Sequence, residues 1–154
     1  MSVRDWFDSI HEQVTAIAES EKTIQSMRLS IGSHGQSFGP ISKGSVTDQS
    51  AAIISVVALE TELDVMRARL EPELDRAIAI LYGASGRGGL ARARDYADAD
   101  CICGYYLMGM TWAEVAAEMT AVDGSADPAQ WCKRRAYRAL VYLESCNLDE
   151  LMES

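Results

Sequence analysis

The sequence predicts an all-α protein: an N-terminal helical hairpin or coiled-coil arm followed by a C-terminal three-helix unit. Three observations lead there. β-Branched and aromatic residues are sparse beside Ala, Leu, Met, Glu and Arg, and only three prolines occur in 154 residues, a balance that favours helix over sheet. Apolar residues recur at steps of three and four rather than two. Eight of the eleven glycines fall in two clusters, Gly32 to Gly44 and Gly83 to Gly89, which punctuate the chain between its periodic stretches.

In the first periodic stretch Phe7, Ile10, Val14, Ile17, Ile24 and Met27 share a helical face. The glycine- and serine-rich residues 30–47 read as a flexible loop, with Thr47 or Asp48 as the N-cap of the second helix. That helix carries the series Val56, Leu59, Leu63, Met66, Leu70, Leu74, Ala77 and Leu81, the spacing of a coiled-coil-like seam, with Pro72 placed to kink or split it. These two helices make residues 1–82 a hairpin arm, either closed on itself as a monomer or completed by a second subunit in a homodimer. Residues 83–89 read as a glycine linker and 90–154 as a separate domain. Neither glycine cluster is a phosphate-binding loop, because Lys43 precedes Gly44 and no strand comes before it.

Within 90–154, a helix is expected over 90–108, burying Ala97, Cys101, Ile102, Tyr105 and Met108 and stopped by Gly109. Thr111 and Glu114 have the spacing of a capping box, opening a short helix whose apolar face is Trp112, Val115, Ala116 and Met119. Residues 121–126 form a turn. Asp127 then caps a last helix with Pro128 at its first position.

Composition narrows the function classes. Hydrophobic residues make up 48% and charged residues 24%, as in a folded protein. No stretch nears the roughly 18–20 apolar residues that a membrane span needs, and the first turn is charged, so the protein is expected in the cytoplasm with no membrane partner. The four cysteines then read as reduced thiols. They lack the paired spacing of a zinc site, and no other metal or cofactor is expected. No nucleophile, base and orienting group stand in a workable order. The acids along the helical faces read as solubilising surface, and Asp98 and Asp100, two apart, diverge on a helix; an enzyme is not expected.

The net charge of −9 argues against nucleic acid only if charge is spread evenly, and it is not. Residues 127–143 hold Lys133, Arg134, Arg135 and Arg138 against the single acid Asp127, a local charge of +3. At about 100° per residue, Cys132, Ala136, Ala139, Leu140 and Leu143 gather on one side and the cations on the other. A basic-fronted helix after a short capped helix and a turn is the order of a helix-turn-helix, with 127–145 as recognition helix and double-stranded DNA as partner. Gln130 and Arg134 are candidates for base edges, Lys133 and Arg135 for phosphates, and Arg138 completes the face. Trp131 and Tyr142 project near the basic side without an evident role.

The runs YYLMGMTWAEVAAEM and WCKRRAYRALVYLE resemble the region 4-like helix-turn-helix of sigma factors, especially as found in small phage and prophage regulators of the ArpU/RinA type. The matching positions are Tyr105, Tyr106, Gly109, Thr111, Trp112, Glu114, Val115, Ala116, Arg138, Ala139 and Leu140, and the N-terminal half is similar in its order of helix, Gly/Ser loop and long helix. The resemblance implies a regulator of phage or mobile-element transcription. The turn between Met119 and Trp131 is longer than the tight turn of that family, and Asp123 and Asp127 bring acids close to the DNA face. Two other readings stay open: a protein-docking module, for RNA polymerase for example, without DNA affinity of its own, and a small terminase-like packaging subunit, although that usually carries its DNA unit first.

Overall fold

The computed structural model describes residues 1–35, 43–119 and 124–154, with side chains apart from 33–35 and 43–49. All the regular structure among these residues is helical. Seven α-helices are described: α1 (Val3–Gly35), α2 (Lys43–Tyr82), α3 (Gly89–Ala93), α4 (Tyr96–Ile102), α5 (Trp112–Glu118), α6 (Pro128–Glu144) and α7 (Leu148–Glu153), with a π-helical segment, Cys103–Leu107, continuing α4. Among the described residues no helix is long and apolar enough to cross a membrane.

The chain divides into two compact units: Met1–Val14 with Leu70–Ser154, and Thr15–Arg69. The expected boundary at 82/83 is not where the contacts divide. Both the first turns of α1 and the last three turns of α2 belong with the C-terminal residues.

The Thr15–Arg69 unit is a pair of helical segments running antiparallel, since Glu21 pairs with Arg67 and Arg28 with Glu60. Between them Ile24, Val56 and Leu63 are buried, with Ile17, Met27, Ile31 and Leu59 packed around them. The apolar series anticipated this seam. The loop at 30–47 is shorter than expected: helix persists through Gly35 and resumes at Lys43, so Thr47 and Asp48 lie inside α2 rather than capping it. The rest of that loop, 36–42, lies outside the described residues. Helix hydrogen bonding outweighs the modest cost of each glycine, about 1 kcal/mol.

In the other unit the sequence expectations hold in part. Pro72 neither ends nor splits α2. It is exposed, as is Ala68 four residues back, so the carbonyl that proline leaves unpaired is open to water. Residues 83–89 do not form a free linker. Gly88 N donates to Tyr82 O at 2.8 Å, Ala84 N to Met152 O at 2.9 Å, and Gly89 N to Ser154 Oγ at 2.7 Å. A Cβ on Gly88 would stand 2.3 Å from the Ser154 carbonyl carbon, which explains glycine at that point by close approach.

The helix expected over 90–108 is three pieces. Asp95 is extended and its carboxylate accepts from Ala97 N at 3.0 Å, so it caps α4 and breaks the chain from α3. After Ile102 the spacing loosens to five residues, with Met108 N donating to Cys103 O at 3.0 Å. That one-residue slip changes which side chains point inward. Tyr106 is 1% exposed and Leu107 is buried, whereas Met108, expected in the core, is 61% exposed and Tyr105 is half-buried.

Phe7 and Ile10 of α1 are fully buried in this unit, together with Ala77, Ile80, Leu81, Leu90, Ile102 and the inner face of α6. Burial on that scale contributes about 2 kcal/mol for each large side chain. Polar contacts fix the start of α1: Val3 N donates to Glu144 Oε1 at 2.5 Å, and Trp6 Nε1 to Glu73 Oε2 at 2.7 Å. His11, Tyr105 and Trp112 form a ladder of stacked rings, with centroids 4.2 and 4.1 Å apart and planes within 13° and 5°.

Candidate nucleic-acid interface

α5 and α6 carry the expected site, and each is started by its own sequence. Gly109, at φ +70°, ends the π-helical segment in a conformation that glycine tolerates. Thr111 Oγ1 accepts from Glu114 N at 3.2 Å while the Glu114 carboxylate accepts from Thr111 N at 3.4 Å, so the capping box is formed. Of the turn at 121–126, residues 121–123 lie outside those described. Asp127 accepts from Gln130 N at 3.2 Å, with Pro128 in the first turn, and α6 begins where expected.

α6 packs on α4 and α5. Cys132, Ala136, Ala139, Leu140 and Leu143 are all at most 1% exposed, the stripe that the helical spacing assigned to the core. Val115 and Ala116 of α5 are buried and Trp112 is half-buried. Cys101 and Cys132 lie together inside, and burial pushes both thiols up from their ordinary range, as it does Cys103. These are inert, protonated side chains at neutral pH. Among the described residues no cluster of three His, Cys, Asp or Glu side chains is placed to hold a metal.

The five candidate residues of α6 divide into three groups. Gln130, Arg134 and Arg138 are exposed, one turn apart along the helix, and no side-chain partner holds any of them among the described residues. Lys133 is half-buried on one flank, its Nζ 5.7 Å from the centre of the Tyr137 ring. Arg4 of α1 covers the same ring at 4.6 Å, bringing a second cation to that flank. Arg135 is on the other flank and is engaged. Its Nε donates to Asp98 Oδ1 at 2.6 Å and its Nη2 to Asp95 Oδ2 at 2.9 Å, and the guanidinium lies 4.7 Å over Trp131. Burial alone would weaken the Arg135 charge, but the two carboxylates more than offset it and hold its pKa above the ordinary value. The structure thus places Arg135 in a carboxylate network rather than facing outward to a phosphate.

Asp98 is the centre of that network and is only 2% exposed. The expectation that the acids of this helix are solubilising surface fails here. Its second oxygen accepts from Arg94 Nε at 2.9 Å, and the Arg94 guanidinium lies 5.3 Å from the centre of the Tyr142 ring. The aromatic residues left without a role, Trp131 and Tyr142, are thus platforms for Arg135 and Arg94. Sequence spacing could have suggested Arg94 with Asp98, which are four apart in the helix expected over 90–108, but not Asp98 with Arg135, which are 37 apart. Asp100, by contrast, accepts from the Tyr82 hydroxyl at 2.5 Å; burial first, then this bond, pushes the phenol pKa up.

Above Asp98 opens a cleft of about 620 Å³, lined by Arg94, Arg134 and Arg138 together with Trp131 and Asp127. Four arginines and two aspartates line it, giving a positive balance on a chain whose net charge is −9. The chain matches no protein-family model, no curated protein and no solved structure.

Proposed function

We propose that this chain is a DNA-binding transcriptional regulator, with α5 and α6 as a helix-turn-helix and α6 as the recognition helix in the major groove. One observation carries the reading. The inner face of α6 is buried completely, while Gln130, Arg134 and Arg138 stand in a row on the outer face with no side-chain partner among the described residues. Holding three such side chains in line on a rigid, capped helix suits them to a groove edge lined by acceptors and phosphates. Gln130, nearest the helix start, is the base-reading candidate; Arg134, whose guanidinium suits a guanine edge or a phosphate, acts here with Arg138 and Lys133 on the backbone. Arg135 orients the surface through Asp98 and Asp95. The resemblance to sigma region 4-like regulators supports phage or mobile-element genes as the setting.

Homodimerisation through the N-terminal helices is part of the proposal, because two-fold pairing matches a two-fold operator. Exposed Ile53, Ile54 and Val57 on α2 support it. A second reading is docking on a protein such as RNA polymerase. Val141, 73% exposed, favours it, because an apolar side chain continues the Gln130–Arg134–Arg138 row.

Fluorescence anisotropy with mixed duplex DNA across a salt series separates the two. Binding should appear at low salt and weaken as salt rises. Arg134→Ala/Arg138→Ala should lower the slope of log K against log salt by about two, one for each phosphate-directed cation removed. A wild-type protein indifferent to DNA at the lowest salt gives the second reading.

A further inference from the structure

We infer that Arg94, which lies outside the helix-turn-helix, is a phosphate contact that works with Arg134 and Arg138 to hold one nucleic-acid backbone segment in the cleft above Asp98. The inference rests on the DNA reading of α6 and extends the interface to the α3–α4 junction.

The buried carboxylate sets the geometry. Asp98 cannot meet solvent, and it spends its two oxygens on two different guanidinium groups, Arg94 Nε and Arg135 Nε. Arg135 gives a second bond, from Nη2 to Asp95, and its guanidinium lies over Trp131. Arg94 gives only its Nε, so its two terminal nitrogens keep their donors with no acceptor among the described residues. Tyr142 beneath the guanidinium and Asp98 beside it fix the plane of the fork. A guanidinium held by its inner nitrogen presents its outer edge in the geometry that takes two oxygens of a phosphate.

The surroundings select the ligand. Arg94 is one-third exposed and opens into the cleft that Arg134 and Arg138 also line. The other acid of the cleft, Asp127, caps α6 through one oxygen, Oδ1. Three arginines thus line the cleft from two separate elements, outnumbering the one exposed carboxylate that the described residues place there, Asp127. The cleft is open and runs into the row of exposed α6 side chains, which suits a phosphodiester chain passing through better than a small anion sealed inside.

The test compares wild type, Arg94→Ala and Arg92→Ala as full chains, titrated with mixed duplex DNA over a salt series. Arg92 is exposed on α3, two residues before Arg94 but outside the cleft, so it controls for loss of one positive charge. Arg94→Ala is expected to weaken binding about tenfold at low salt, equally on unrelated sequences, and to lower the salt slope by about one, while Arg92→Ala leaves the slope unchanged. A thermal melt of each protein ensures that folded material is compared. If Arg94→Ala does not fold, Arg94→Gln, which keeps a donor toward Asp98 and loses the charge, takes its place. If wild type binds DNA and the Arg94 variant matches Arg92→Ala, the inference is overturned and the proposed function stands. If wild type does not bind duplex, the proposed function fails. Titration with inorganic phosphate, followed at the Arg94 Nε resonance, then decides the cleft by itself: a saturable shift keeps the phosphate site and no shift removes it.

Discussion

The two compact units use charge in opposite ways. In the Thr15–Arg69 unit Arg28 and Arg67 pair with acids at the surface, where Arg67 and Glu21 are each about half exposed. In the other unit, one carboxylate at 2% exposure holds two arginines and so shapes the face of α6. Exposed pairs of the first kind are worth little, because water and salt screen them. A buried carboxylate is different: once its partners are in place, removing either side strands a charge. The helical pair is accordingly held by its apolar seam, and the larger unit by a core whose geometry depends on a polar centre.

The comparison can be broken most forcefully by cutting the chain. Residues 90–154, which the sequence presents as a self-sufficient domain, lack Phe7, Ile10, Ala77, Ile80 and Leu81, all buried at 1% exposure or less. That fragment is expected to lose cooperative thermal unfolding, measured by circular dichroism, while the full chain keeps it. A sharp transition in the fragment would show that the first turns of α1 and the end of α2 are additions to a domain already complete. Next in size is Asp98→Ala, expected to cost about 3 kcal/mol in urea unfolding, since it leaves Arg94 and Arg135 partly buried without their shared acceptor. A cost under about 1 kcal/mol would mean that both guanidiniums swing freely to water. Smallest is Arg67→Ala in the helical pair, expected at about 0.5 kcal/mol or less by the same assay; a much larger loss would erase the contrast between the units.

Much of the fold was legible because it depends on local rules. The capping box of Thr111 and Glu114, the Asp127–Pro128 start and the Gly109 stop each act within a few residues. The core stripe of α6 follows from spacing alone. What escaped was nonlocal or a matter of one residue. The slip after Ile102 exchanges Tyr105 and Met108 for Tyr106 and Leu107 on the inner side, and no composition rule marks where a helix widens. Seven residues with four glycines looked like a linker, yet close approach to Ser154 is an equally good reason for glycine. Among the candidate contacts, Arg134 and Arg138 could be read from the helical wheel. The engagement of Arg135 could not, because Asp95 and Asp98 reach it from outside α6.

The bond from Val3 N to the Glu144 carboxylate spans 141 residues of chain. On a ribosome adding about 5–20 residues per second, the first turn of α1 is made about 7–28 seconds before its partner on α6. Through that interval Phe7 and Ile10 have no finished core to enter. The unit that presents the basic helix therefore cannot close progressively from its beginning. It must wait for α6 and then fold around turns of α1 that have stood without their partners in the meantime, which makes those turns a part of the chain in need of protection during synthesis.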